Sequence, residues 1–234
     1  MQANFHTDTA RLITDIRYEF DVDRFIETGT NVGETAEWAS EYFDRVTTIE
    51  MDDELHARAT NERGHLDNIE FVKGKSQDEL PKIVQELEDS AVFHLDAHCG
   101  GKWLESAGDT SANAEFTECP VLEELEALSL SDHDHFVFID DARVFTSPRR
   151  EPFDMDDWPG IQEIIHAVEE VNEDYHVLIY VDEIIVVPPF ATEFVRERIR
   201  TYKTENRDKS NRFKRYVMNK VWQHASLSGP VQDV

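Results

Sequence analysis

The chain has 234 residues, enough for one sizeable α/β core and too few for two full domains with linkers. Fifty acidic residues against 23 basic ones give a net charge of −27, which repels nucleic acid unless a local basic surface intervenes. No window of about 18 uncharged apolar residues exists, and the stretch from Met1 to Phe20 carries Asp8, Asp15 and Glu19, so neither a membrane span nor a signal peptide is expected.

The acids are scattered rather than gathered in a tail, and the basic residues divide into 8 lysines and 15 arginines. Such a composition resembles that of a halophile's cytoplasmic protein, in which salt screens the self-repulsion. Cys99 and Cys119 are the only cysteines and have no Cys-x-x-Cys spacing, so neither a zinc knuckle nor a disulfide framework is indicated, and a reducing compartment fits. Cys99 lies beside His98 but is followed by Gly100 and Gly101, a poor setting for a nucleophile.

Thr7 to Phe20 carries Leu12, Ile13 and Ile16 at partly helical spacing, with Asp8 near the favourable end of the dipole. Arg24 to Ile26 reads as the end of a short buried strand, Gly29 and Gly33 permit a tight turn, and Thr35 to Tyr42 reads as a helix. A strand that turns through glycines into a helix aims backbone N–H groups at the crevice where open α/β sheets bind ligands. The spacing is Glu-x-Gly-x-x-x-Gly, so a dinucleotide fingerprint would need further glycines at Asn31 and Glu34. An ordinary strand-to-helix turn is the plainer alternative.

Arg45 to Glu50 is β-branched and ends in an acid 23 positions beyond Glu27. A carboxylate at that strand tip can accept hydrogen bonds from both hydroxyls of a ribose. Asp52 to Asn61 reads as a helix, Asn68 to Val72 as a strand, and Gln77 to Leu87 as a helix with Leu80, Ile83, Val84 and Leu87 on one face. Ser76 is also a candidate cap for that helix. Ala91 to His98 reads as a strand that delivers Asp96 and His98 to the sheet edge, and His94 as a packed or solvent-facing side chain. Gly100 to Glu118 reads as a loop over the site, and Cys119 to Leu128 as a helix with Pro120 in its first turn. His135 to Asp141 is a fifth strand ending in paired carboxylates, and Asp156 to Val171 is helical. Tyr175 to Val181 and Ile184 to Val187 are strands joined by a turn at Asp182-Glu183, ahead of Pro188-Pro189.

The order Glu27-Thr28-Gly29, Leu95-Asp96-Ala97-His98 and Ile139-Asp140-Asp141-Ala142-Arg143, with a late hairpin, resembles the class I S-adenosylmethionine-dependent methyltransferases over about Phe25 to Pro188. The resemblance implies a Rossmann-like three-layer α/β sandwich: a mostly parallel seven-stranded sheet with an antiparallel C-terminal hairpin. It further implies that Glu27, Thr28, Gly29, Thr30 and Gly33 surround the methionine part of S-adenosylmethionine, with Glu50 on the ribose. Ser76 and Gln77 would lie near the adenine, because Lys75 stands where many members carry an acid, and Asp96 would border the cofactor. Asp96, Asp140 and Asp141 look like the magnesium ligands of metal-assisted O-methyltransferases, with His98 accepting the acceptor's proton. Pairing of the aspartates with Arg143 is the structural alternative.

Ten of the 23 basic residues gather between Arg196 and Lys220. They suit an anionic partner, such as a phosphate-bearing acceptor or the acidic face of another copy in a homo-oligomer, or else a solvated helix that offsets the acidic body. The domain expectation is 1–190 as the cofactor-binding unit and 191–234 as a basic helical extension packed on it. The functional expectation is O-methylation of a hydroxyl or carboxylate on a small molecule, sugar or glycan. A nicotinamide-dependent oxidoreductase and a non-catalytic nucleoside-binding subunit are the rivals.

Overall fold

The computed structural model describes residues 6–98, 117–147 and 156–207. The chain divides into two compact units, Met1–Thr192 and Glu193–Val234. Of the second unit the described part is helical through residue 207, with buried Val195, Ile199 and Tyr202 at helical spacing. Lys209, Arg212, Lys214, Arg215 and Lys220 of the basic segment lie outside the described residues, as do Cys99 and most of the loop expected over the site.

The first unit opens with α1 (Thr7–Glu19) and continues with β1 (Arg24–Thr28), α2 (Glu34–Ser40), β2 (Arg45–Glu50), α3 (Asp53–Arg63), β3 (Ile69–Lys73) and α4 (Ser76–Gln85). Then come β4 (Ala91–Leu95), α5 (Val121–Leu128), β5 (Phe136–Ile139), the one-turn α6 (Ala142–Phe145), α7 (Ile161–Val171), β6 (His176–Tyr180) and β7 (Glu183–Val187). These strands form one sheet in the order β3-β2-β1-β4-β5-β7-β6, in which β7 runs antiparallel to both its neighbours and the other pairs are parallel. The mostly parallel sheet with an antiparallel hairpin is therefore present as expected.

A parallel sheet must bury both faces, so its strands read as continuous apolar runs. Every residue of β4 and β7 is buried. Ile26, Ile49, Phe93, Leu95, Val137 and Ile184 form one core with Leu80 and Val84 of α4, Leu125 and Leu128 of α5, and Ile164 and Val168 of α7. The opposite face is aromatic: Phe25 meets Trp38 of α2 at 6.1 Å and Phe43 at 5.3 Å, and Phe20, just beyond α1, meets Phe136 at 5.3 Å. The Tyr180 hydroxyl donates to Asp8 Oδ2 at 2.7 Å, tying α1 to the hairpin. Among the described residues, no helix is long and apolar enough to cross a membrane.

Several element ends differ from the sequence expectation, each for a local reason. The strand expected to run to His98 stops at Leu95, the Asp96 N–H making the last bond of the ladder, to the Thr28 carbonyl at 3.1 Å. The strand expected to run to Asp141 stops at Ile139, where Asp141 takes a left-handed conformation, φ 59°, and starts α6. The helix expected from Asp156 begins only at Ile161, after Pro159-Gly160, with the Gly160 N–H donating to Glu163. The hairpin turns at Val181-Asp182, with Tyr180 paired to Glu183, rather than at Asp182-Glu183.

Candidate active site

The carboxyl ends of β1, β2, β4 and β5 meet along one edge of the sheet, and the sequence-expected residues collect there. Between β1 and α2, Gly29, Asn31 and Gly33 all adopt positive φ, at 83°, 50° and 84°. The position that lacks a glycine carries asparagine, which tolerates the left-handed region far better than most residues. The Gly29 and Thr30 N–H groups both donate to the Ile49 carbonyl, at 2.9 and 3.1 Å, so the loop is stitched to the end of β2.

Glu50 stands at the tip of β2 and is 6 % exposed. Its Oε2 accepts from the Asn31 N–H and its Oε1 from the Asp52 N–H, each at 2.8 Å. Burial raises its acid above the ordinary range while these donors pull it back. A carboxylate offers about four acceptor sites, so both oxygens keep capacity for a ribose diol.

Beneath this loop Glu27 is almost wholly buried, and its Oε2 accepts from the Thr48 hydroxyl at 2.7 Å, which itself bonds Thr30 Oγ1 at 2.6 Å. Burial pushes the Glu27 acid from 4.5 to about 8, against the hydroxyls of Thr48 and Thr35. The folded chain thus holds this proton between pH 4.5 and about 8, where an unfolded glutamate releases it. The resulting stabilisation is full below pH 4.5 and is lost as the pH rises through about 8. Across that window the wild type is expected to lose up to about 1.4 kcal/mol per pH unit relative to Glu27→Gln, read by thermal unfolding at a series of pH values. Parallel profiles for the two proteins would mean that Glu27 is ionised in the fold.

Asp96, Ala97 and His98 leave β4 directly beside the glycine loop. The Asp96 N–H also lies 3.2 Å from Thr28 Oγ1. His98 is 8 % exposed at its side chain and is gripped on three sides. Its Nε2 lies 3.1 Å from Asp141 Oδ2, its Nδ1 lies 3.7 Å from Asp96 Oδ1, and its ring meets Trp158 and Phe145 edge-on at 5.5 and 6.4 Å. With Nε2 donating to Asp141, the lone pair is on Nδ1, the nitrogen facing Asp96. Asp141 is itself anchored: Arg143 Nη2 lies 2.6 Å from its Oδ1, and the same guanidinium pairs with Asp182. Burial first, then Asp140 and Glu27, push the Asp96 acid well above the usual carboxylate range, and burial does the same more mildly to Asp140.

Among the described residues, the three aspartates do not form a group placed to share an ion. Both oxygens of Asp141 are engaged by His98 and Arg143, and Asp140 Oδ1 accepts the Asp141 N–H at 2.7 Å. The pairing of Asp141 with Arg143 is the alternative the sequence had offered.

Ser76 does not cap α4. Lys75 occupies the cap position without a side-chain bond, and Ser76 is the first helical residue, 5 % exposed, its hydroxyl without a hydrogen-bond partner. Gln77, the next residue of that turn, is partly buried. His94 is packed, as one reading had it, 1 % exposed with Glu183 Oε1 at 4.0 Å.

Sequence reasoning passed over Glu118, Glu124 and Trp158. The Trp158 Nε1–H donates to Glu118 Oε2 at 2.8 Å, fixing the indole that flanks His98. Glu124 is 1 % exposed although ionisable. Its signal was legible: with Val121, Leu125 and Leu128 it lies on the apolar stripe of its helix, where a glutamate needs a reason.

No family model and no curated protein matches this chain. Solved structures similar in fold include the cofactor-bound protein Rv0187 from MTB, with TM-score 0.52 and 14 % identity, covering 81 % of this chain and 83 % of that one. Another is an O-methyltransferase from Bacillus cereus in complex with SAH, with TM-score 0.50 and 15 % identity, covering 80 % and 84 %. At such identity the likeness is one of fold, and it is the fold that the methyltransferase-like motifs led one to expect.

Proposed function

We propose that the chain is an S-adenosylmethionine-dependent methyltransferase acting on an oxygen of a small molecule or sugar. The observation that carries the reading is Glu50, a buried carboxylate held at the tip of β2 by two backbone N–H groups, beside a left-handed glycine loop. That arrangement suits a nucleoside with a free ribose diol. In this reading Glu27, Thr28, Gly29, Thr30 and Gly33 line the amino-acid end of the cofactor, and Asp96 and His98 face the transferred methyl group. The cofactor, when bound, supplies an electrophilic methyl on sulfonium.

Methyl transfer needs in-line approach of the acceptor oxygen and removal of its proton, so the protein's task is positioning and proton acceptance. His98 takes the proton at Nδ1. Asp141 steadies the ring and holds its tautomer. Trp158 and Phe145 exclude water from the base. The fold shared with an O-methyltransferase supports oxygen as the acceptor atom.

Calorimetry with S-adenosylhomocysteine in molar salt, which screens the net charge of −27, tests the reading. Wild type is expected to bind, and Glu50→Ala to bind about tenfold to a hundredfold more weakly, the cost of one or two charged hydrogen bonds. No heat with wild type sinks the proposal, and tighter binding of NADH would favour an oxidoreductase. Transfer of labelled methyl to a cell extract separates an enzyme from a binding subunit. That transfer should survive a chelator, because Asp141 is already committed to His98 and Arg143; loss with rescue by magnesium would restore the metal reading.

A further inference from the structure

Asp141 holds the His98 imidazole at Nε2, whereas the atom that must meet the acceptor's proton, Nδ1, lies across the ring. A hydrogen bond at one corner leaves such a ring free to swing, because the χ2 torsion of histidine is broad. The restraint on that swing is aromatic. The His98 ring lies at 71° to Trp158 and 82° to Phe145, with centroids 5.5 and 6.4 Å away. Phe145 itself packs on Trp158 at 6.1 Å, so the indole is the piece against which both other rings rest.

Trp158 stands ahead of α7 in a stretch that is neither helix nor strand, so side chains rather than a backbone ladder fix its place. Glu118, just ahead of α5, supplies the anchor. The Trp158 Nε1–H donates to Glu118 Oε2 at 2.8 Å, and the Glu118 N–H donates back to Asp157 Oδ2, also at 2.8 Å. Two bonds running in opposite directions thus join residue 118 to the pair 157–158. Glu118 and Trp158 are each 6 % exposed, which keeps water from competing for the indole N–H.

We infer that Glu118 is a positioning residue for methyl transfer: through Trp158 it sets the angle of the His98 imidazole, and with it the direction of the Nδ1 lone pair. Glu118 itself touches neither acceptor nor cofactor in this assignment. A displacement of about 1 Å at a reacting group can slow a reaction about a hundredfold, so a small turn of the indole is legible in the rate. The oxygen is what the indole requires, and glutamine offers an acceptor oxygen at the same reach. This assignment rests on the proposed function and adds to it the residue that aims the base.

The test measures methyl transfer from saturating labelled S-adenosylmethionine into a methyl-accepting cell extract, beside calorimetry with S-adenosylhomocysteine on the same preparations. Glu118→Leu removes the acceptor oxygen and keeps the backbone bond to Asp157. It is expected to lower the rate about tenfold, within the range for a misaimed group, and to leave S-adenosylhomocysteine affinity within about twofold of wild type. Glu118→Gln should restore most of the rate. Trp158→Phe, which keeps a ring and deletes the N–H, should lose a similar factor, and adding Glu118→Leu to it should slow transfer little further. A wild-type rate in Glu118→Leu overturns the assignment. So does a Glu118→Gln as slow as Glu118→Leu, a pair of losses that multiply in the double variant, or a Glu118→Leu that no longer binds S-adenosylhomocysteine. If wild type itself transfers no methyl group, the proposed function fails and takes this assignment with it.

Discussion

Gly29→Ala is expected to destabilise the fold by more than about 3 kcal/mol, a large part of the margin of an ordinary domain. A Cβ at this position would lie 2.2 Å from the Asp96 carbonyl oxygen and 3.1 Å from Ala97 Cα, both backbone atoms that cannot swing aside. The residue also has φ 83°, where any side chain adds strain of about 1–3 kcal/mol. Gly33 makes the contrast. Its φ is 84°, but a Cβ there would meet Arg63 Cδ at 2.9 Å, the flexible stem of a side chain. Gly33→Ala should therefore cost only the backbone strain and some rearrangement of the Arg63–Glu37 pair. Equilibrium unfolding of the two variants decides it: equal losses would show that the approach of β1 to Asp96 is looser than the structure has it.

His98→Gln is expected to slow methyl transfer by about a hundredfold to ten-thousandfold, the usual worth of a general base, while leaving S-adenosylhomocysteine binding within a few-fold of wild type. Asp141→Asn should lose less, since it weakens the grip on the imidazole and leaves the lone pair in place. The measurement is the initial rate of label transfer from the cofactor into a responsive extract, beside calorimetry on the same preparations. A rate unchanged in His98→Gln removes this histidine from the chemistry. Loss of binding in step with rate would assign it to the cofactor pocket instead.

Much of the fold was legible because the signals behind it are local. Arg45 to Glu50 is a buried β-branched run ending in an acid, and its strand bounds are those expected. The alternation of strands and helices and the paired strands near Pro188 were enough to imply a parallel sheet closed by a hairpin. The misplaced ends had long-range causes. The Asp96 N–H closes the ladder at Thr28, 68 positions away, and Asp141 follows its strand in a left-handed turn whose carboxylate is held by His98, 43 positions away. No window along the chain contains both partners of such a bond.

The site divides along the same line. Glu27, Gly29, Gly33, Glu50, Asp96 and His98 could be expected at one edge because they lie at strand ends or in the turns that follow them, and strand ends in an open α/β sheet share one edge. Their partners were not. The sequence shows three aspartates that suit a metal; the structure gives one of them to an imidazole and a guanidinium, a choice made by where α6 turns. Glu124 looked like one acid among fifty. Its burial against Ser76 and Thr28 comes from the packing of α5 on α4, which brings together residues from three separate segments.

What the sequence by itself determined is the set of elements, the direction of the sheet and the edge where the glycine turn and the strand-end acids gather, since hydrophobic periodicity and glycine placement act over a few residues. The tertiary structure alone decided which charges face one another. Pairing, burial and the resulting proton affinities depend on distances of a few ångströms between groups far apart in the chain. That is why the crevice at the sheet edge was readable in advance, while the company kept by His98, Asp141 and Glu124 was not.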